Sequence, residues 1–219
     1  MRLRSITVIL VAAMSLACST IASRTQAAGP VPIDQAAFKK GTGAAFAITK
    51  PGSYVLRGNI VVKHPNQNAL DITASNVTLN LQGFSIIGTG ASGTGIGINV
   101  VSGVSNVTIT NGTVTKMGGD GVVVGPNSVV SSVKAMQNVG VGIQAGASSQ
   151  LTNNVAVGNG GYGLMCGNDC LVTGNVATGN TGGDLSPGTN SGYGNNIIDD
   201  PSVTGGVSLG NNVCSGVKC

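Results

Sequence analysis

Large side chains and charges are scarce in this sequence. The 219 residues include no Trp, aromatic residues make up 3% and charged residues 8%. Ordinary globular cores are filled largely by big side chains, so this composition predicts a narrow interior. Glu is absent, and Asn, Thr, Ser and Gly supply most of the polarity. A disordered chain dominated by charge is therefore excluded.

The formal net charge of +4 overstates the charge of the folded part. Arg2, Arg4 and Arg24 lie in a segment that we expect to be removed, which takes three from the eleven Lys and Arg and leaves eight against seven Asp. Such a balance provides no basic surface for nucleic acid and no polybasic patch for a membrane. We therefore predict neither partner.

No apolar run is long enough to span a bilayer. The longest, Ile6 to Ala17, follows Arg2 and Arg4 and precedes a series of small residues. This is the pattern of a secretion signal, and we place its cleavage after Ala27. The mature chain is expected to be secreted, periplasmic or on the cell surface.

Lipoprotein processing at Cys18 is the alternative fate of this segment. Leu16 and Ala17 give the small or apolar residues that such a site needs, but Ser15 stands where the usual pattern has Leu. Both readings predict export.

Four cysteines remain after the signal, in two close pairs. Cys166 and Cys170 are separated by four positions, and Cys214 and Cys219 by five. In an oxidising compartment this predicts two local disulfides. Zinc binding by the same thiols is the alternative, which the spacing of the second pair and the lack of a nearby His disfavour. We predict no metal site and no cofactor.

The stretch 129–191 consists of three copies of a repeat of about 21 residues. A constant period of this length is typical of a solenoid, in which copies too small to fold alone are stabilised by stacking. Four columns share the period: Asn138, Asn159 and Asn180; Gly140, Gly161 and Gly182; Ala135, Ala156 and Ala177; and Ile143, Leu164 and Leu185.

Each copy is predicted to consist of β-strands. Its apolar runs are short, rich in Val, Ile and Thr, and interrupted by Gly or Asn every four to six residues, which a helix would not survive. Three strands and three bends fit one turn that rises about 4.8 Å, so that each strand pairs in parallel with its copy. Asn138, Asn159 and Asn180 are predicted to form a ladder, because Asn tolerates a left-handed bend and stacked amides bond to one another. The Gly column is predicted to open tight corners.

The chain is therefore predicted to be an all-β, single-stranded, right-handed parallel β-helix of roughly five to seven coils. Residues 28–47 are assigned to an N-terminal cap with one or two helical turns between Ile33 and Lys40, because the first coil exposes its core and a strand edge. Residues 48–191 form the β-helix. Residues 192–219, where the period decays, form the C-terminal cap.

Several segments together carry a resemblance to a known family: PGSYVLRGNI, NVTLNLQGFSI, NVTITNGTV, GYGLMCGNDCLVTGN and GNNVCSGVKC. They resemble the bacterial exported right-handed parallel β-helix repeat proteins of the pectate-lyase-like superfold, from Ile48 to Cys219. The resemblance implies the fold. It leaves function open among polysaccharide lyases, hydrolases, epimerases, adhesins and non-catalytic proteins.

The enzymatic members of that superfold need motifs that this chain lacks. Hydrolases need converging carboxylates, but the one adjacent pair, Asp199-Asp200, stands without the GHG and RIK companions. Lyases need clustered Asp and an Arg base, whereas Arg57 is the sole mature arginine and has no acidic cluster around it. The DPDG-like epimerase signature is absent, and His64 is interpreted as a solvated loop residue. We therefore predict a non-catalytic protein that binds carbohydrate or serves as a structural module, with a degenerate lyase or epimerase of uronate-containing glycans as the alternative.

One group of residues is a candidate binding surface. Lys116, Asp120, Tyr162 and Asp184 fall at or near the start of the second strand of their coils, so they are predicted to line one face. An aromatic ring with hydrogen-bonding neighbours suits a polysaccharide chain, while solvated polar residues at turn edges are the alternative. The oligomeric state is left open. Catalysis would instead require at least two charged residues to meet in one groove, from among Lys116, Asp120, Lys134, Asp169 and Asp184.

Overall fold

The structure, a computed structural model, describes residues 29–38, 44–200 and 203–218. The predicted secretion signal, with Cys18, lies outside these residues. In chain order the strands are β1 (Val31–Ile33), β2 (Phe46–Ile48), β3 (Gly52–Leu56), β4 (Ile60–Val61), β5 (Leu70–Ile72), β6 (Val77–Asn80), β7 (Ser85–Ile87), β8 (Ile98–Val100), β9 (Val107–Thr115), β10 (Val122–Val124), β11 (Val129–Met136), β12 (Ile143–Ala145), β13 (Gln150–Thr152), β14 (Val155–Val157), β15 (Leu164–Cys166), β16 (Leu171–Thr173), β17 (Val176–Thr178), β18 (Leu185–Pro187), β19 (Gly192–Gly194), β20 (Ile197–Ile198), β21 (Val207–Gly210), β22 (Val213–Cys214) and β23 (Val217–Lys218).

These strands stack as a parallel β-helix. A seven-stranded sheet runs in the order β18-β15-β12-β10-β8-β5-β2, and the other sixteen strands form a second sheet that bends around the rest of each turn. Among the described strands every pairing is parallel except that of β22 with β23. The predicted all-β solenoid with about 21 residues per turn is confirmed, with about eight turns rather than five to seven. The additional turns lie at the ends, where irregular loops hide the period.

The predicted columns are confirmed. Ala135, Ala156 and Ala177 are direct partners in successive strands. Ile143, Leu164 and Leu185 are likewise partners in the seven-stranded sheet. Gly140, Gly161 and Gly182 are linked by backbone hydrogen bonds from each turn to the one before. A Cβ atom added at Gly161 would lie 2.8 Å from the Val141 nitrogen, so the close approach of neighbouring turns requires glycine there.

The asparagine ladder exists, but one of its two predicted causes is wrong. The Nδ2 of Asn138 donates to Oδ1 of Asn159 at 3.0 Å, and the Nδ2 of Asn159 donates to Oδ1 of Asn180 at 2.9 Å. The left-handed bend is made by the preceding residue, which is Gln137 (φ 54°) before Asn138 and Gly158 (φ 64°) before Asn159. The ladder asparagines are free of that conformation, so their role is to satisfy backbone groups inside the corner.

Two further corner ladders also consist of stacked side chains that bond to backbone groups, and the sequence pattern did not reveal them. Asn154, Asn175, Asn196 and Asn212 form a second asparagine column. Oδ1 of Asn175, Asn196 and Asn212 accepts the backbone N–H of the asparagine one turn earlier, and Oδ1 of Asn154 accepts that of Val133. The third corner holds Ser128, Ser149, Cys170 and Ser191 in one column. The turns that these columns span therefore have three bends, lined by Asn, Asn and Ser side chains that bond to backbone groups, with the disulfide-bonded Cys170 in one of the Ser positions.

The interior between the ladders is narrow and aliphatic, as the composition predicts. Five strands of the seven-stranded sheet, from β5 to β15, show a buried, half-buried, buried pattern, and so does β18. Inward residues such as Ile98, Val122 and Ile143 are fully buried. Apolar contacts and turn-to-turn backbone pairing thus stabilise the same short strands.

The predicted disulfide between Cys166 and Cys170 is confirmed, with a Cα–Cα distance of 6.4 Å. Both residues are buried, and Cys170 takes a position in the serine column. Cys214 is also disulfide-bonded, while Cys219, its predicted partner, lies outside the described residues.

The ends of the solenoid are irregular. At the N-terminus β1 pairs with β3, and a single 3-10 turn, Gln35–Ala37, follows within the predicted cap. At the C-terminus stacking continues beyond residue 191 through β19, β20, β21 and β22.

Candidate functional site

The outward surface of the seven-stranded sheet carries one side chain per strand. Because the first and third residues of each strand point inward, the central residue points outward. These central residues are direct partners from turn to turn, and we call them the outer row. From β5 to β18 the outer row consists of Asp71, Asn99, Val123, Gln144, Met165 and Ser186, and the seventh strand, β2, adds only Ala47 beside Asp71.

Asp71 is the centre of a polar cluster at one end of the outer row. Its Oδ1 accepts hydrogen bonds from Nδ2 of Asn68 and Nδ2 of Asn99, both at 2.9 Å. Asn68 is itself fixed, because its Oδ1 accepts the N–H of Ile96 at 2.8 Å. Among the described residues no donor bonds to Oδ2 of the half-buried Asp71. The carboxylate is thus oriented by two amides that both bond to Oδ1.

Asp120 and Tyr162 lie in one column at the edge of the outer row, two residues before strands β10 and β15. Val141 stands between them, so they are two turns, or about 10 Å, apart. Oδ1 of Asp120 accepts the N–H of Val141 at 2.6 Å. The Tyr162 ring lies beside Gly183 of the next turn, where a Cβ atom would be 2.9 Å from its Cε1. Both side chains are half-buried.

The other two residues of the predicted surface lie elsewhere. Lys116 is exposed at a left-handed bend, with φ 58°. Asp184 is 2% exposed and cannot contact a bound glycan. Its Oδ1 accepts the N–H and Nδ2 of Asn180, and its Oδ2 accepts the N–H groups of Asp199 and Asp200. Asp184 therefore terminates the first asparagine ladder, and placing it on the binding surface was wrong.

The charged residues that a catalytic site would need to bring together lie in different parts of the structure. Lys134 is on the sixteen-stranded sheet, and Asp169 is at a left-handed bend beside the third corner. Asp120 lies at the edge of the outer row, on neither of these surfaces. The adjacent pair Asp199-Asp200 donates backbone N–H groups to Asp184, which is a structural role.

His64 borders a separate cavity of about 710 Å³ at the N-terminal end. Phe38, Val61 and Lys63 also line it. Residues 39–43, which follow Phe38, lie outside the described residues, so we place no site there. Within the described ranges there is no group of three or more side chains able to hold a metal ion, and no helix long and apolar enough to cross a membrane.

The polar cluster at Asp71 was not found from the sequence. The available signal was a polar residue at the centre of an apolar triplet, as in Leu70-Asp71-Ile72 and Ile98-Asn99-Val100. No protein-family model matches this chain, and no curated protein or solved structure matches it either.

Proposed function

We propose that this chain is an exported, non-catalytic β-helix protein, of the pectate-lyase-like superfold and bacterial origin, that binds an extended glycan along the outer row. The observation that carries the proposal is the Asp71 cluster. It holds a carboxylate with one unused oxygen on a flat sheet, with Asn99 and Gln144 in the same row.

The spacing of the row fits a polymer better than a small ligand. One outward side chain recurs at each turn, about 4.8 Å from the next. An extended polysaccharide also presents hydroxyl groups at a regular repeat, so consecutive sugars can meet consecutive turns. Carboxylate and amide groups bond to hydroxyls, while Val123, Met165 and the Tyr162 ring supply apolar contact for sugar faces.

The charge of this surface favours a neutral glycan. Asp71 in the outer row and Asp120 at its edge are both acidic, and none of the outer-row residues from Asp71 to Ser186 is a cation. A polyuronate would bring its own carboxylates against these groups, which is unfavourable. This argues against the alternative of a degenerate lyase or epimerase of uronate-containing glycans, which the dispersed charges also disfavour.

The test begins with the full exported chain on an array of neutral and uronate polysaccharides, followed by calorimetry with the glycans retained. Asp71→Asn preserves the acceptor for both amides but replaces the unused oxygen by a donor. Because a hydrogen bond to a charged group contributes about 1.5–3 kcal/mol, binding should weaken about tenfold or more. Asp169→Asn, the same substitution at an exposed bend, is the matched control and should leave the affinity unchanged.

Three outcomes would count against the proposal. If no glycan binds, the protein is a structural module instead. If Asp71→Asn and Asp169→Asn have the same affinity, the ligand lies elsewhere. If ultraviolet absorption reveals unsaturated products from a uronate polymer, the protein is a lyase.

A further inference from the structure

The N-terminal edge of the sixteen-stranded sheet is protected by proline. The strand at this edge, β1, contains Pro32, and Pro30 lies directly before the strand. Proline has no N–H group, so it disfavours the addition of another strand and is a common device for blunting sheet edges. This end of the solenoid is therefore poorly suited to pairing with a second chain.

At the C-terminal edge β22 is covered by β23, which carries Lys218, but β21 has no such protection. Strand β21 pairs with β19 on one side, and no described strand pairs with its other side. Its sequence, Val-Ser-Leu-Gly, contains neither Pro nor Lys. The stretch 203–217 has no charged residue at all. An unprotected, uncharged edge strand is a template for pairing with another strand.

Exposed apolar side chains concentrate at the same end. Val207 and Leu209, both in β21, are 62% and 61% exposed. Of the nine large apolar residues that are exposed in the described parts of the chain, five belong to the last turns. These five are Ile197, Val207, Leu209, Val213 and Val217.

We propose that β21 pairs with β21 of a second copy of this chain, so that two solenoids join tail to tail. A head-to-tail contact would place β21 of one copy against β1 of the other, where Pro32 disfavours strand pairing. Tail-to-tail pairing instead matches two identical apolar edges around a two-fold axis, which closes the assembly at two copies. No like charges within 203–217 oppose it.

The expected dimer is weak. A four-residue strand is only about 13 Å long, so one pair of strands and the side chains around it form a small contact. Interfaces below about 1,200 Å² in total are typical of transient complexes. Association is therefore expected in the micromolar range and should depend on protein concentration.

Sedimentation equilibrium of the full exported chain over a wide concentration range tests this. Val207→Lys adds a charge at an exposed edge position and keeps the N–H that bonds to the Ser191 oxygen. It should abolish dimerisation, whereas Val61→Lys, an equally apolar and 46% exposed position near the other end, should not. Thermal unfolding confirms that each variant folds.

Small-angle scattering then distinguishes the geometry. About eight turns make a solenoid about 38 Å long at the usual strand spacing, so a tail-to-tail dimer should be about 77 Å long. The proposal is overturned by a monomer at every concentration, by open-ended filaments, by a dimer no longer than the monomer, or by a dimer that tolerates Val207→Lys.

Discussion

Replacing Asn159 by Ala removes the central member of the first asparagine ladder. Asn159 is fully buried. Its Oδ1 accepts the N–H of Asn138 at 3.1 Å and the Nδ2 of Asn138 at 3.0 Å. Its Nδ2 donates to the Ala135 oxygen at 3.0 Å and to Oδ1 of Asn180 at 2.9 Å. Alanine at 159 makes none of these four bonds.

The loss of stability in Asn159→Ala follows from the buried hydrogen-bonding groups that lose their partner. Each hydrogen bond contributes about 1 kcal/mol net, and an unsatisfied buried partner costs about 1–3 kcal/mol, so the four together predict a loss of about 4 kcal/mol. In a domain of this size about 1 kcal/mol corresponds to 2–4 °C, which predicts a melting temperature lower by about 8–16 °C. The largest local effect is expected at Asn138, because its backbone N–H loses its hydrogen-bond acceptor.

Thermal unfolding of Asn159→Ala, with hydrogen exchange at the Asn138 amide, measures both effects. Gln150→Ala is the matched control, since it removes an amide side chain from an exposed strand position. The control should shift the melting temperature little, and exchange at Asn138 should accelerate only in Asn159→Ala. Equal melting temperatures for the two variants would refute the view that the ladder stabilises the stack.

Two further substitutions test the ends of the ladder and the tight corners. Asp184→Asn should destabilise the C-terminal turns by about 3 kcal/mol, because an amide group would face N–H donors of Asn180, Asp199 or Asp200. Faster proteolysis after residue 184 would reveal this loss of stability. The control Asp169→Asn should be cleaved as slowly as wild type. Gly160→Ala should cost at least about 2 kcal/mol in chemical unfolding, because its Cβ would collide with the Val139 carbonyl. Gly58→Ala, where nothing lies within 4 Å, should be nearly neutral, and similar losses in both would contradict the steric account.

The period of the sequence was sufficient for the fold because stacking forces identical environments onto equivalent positions. Asn138, Asn159 and Asn180 repeat at 21 residues, and their shared corner is the direct result. The period did not reveal which residue of each corner bends. Both Gln137 and Asn138 are compatible with a bend, and only the backbone shows that Gln137 adopts the left-handed conformation.

The binding surface was harder to predict because polar residues at bends have two uses. Asp184 has the same sequence context as a surface carboxylate, yet it ends the ladder in place of a further asparagine. Asp71 lies in the longer, less regular early turns, where the insertion between strands hides its alignment with Asn99. Alignment of those turns depends on pairing, which sequence spacing alone does not show.

The distance between Thr78 and Leu171 tests the stacked architecture most directly. These residues are 93 positions apart in the sequence (171 less 78) but occupy one column, separated by four turns through Thr108, Val129 and Gln150. Spin labels attached through non-natural amino acids leave the native cysteines untouched. Pulsed electron resonance should give a narrow distribution near 19 Å, which is about four strand spacings. A broad distribution, or one centred beyond about 35 Å, would contradict a continuous parallel stack at that spacing.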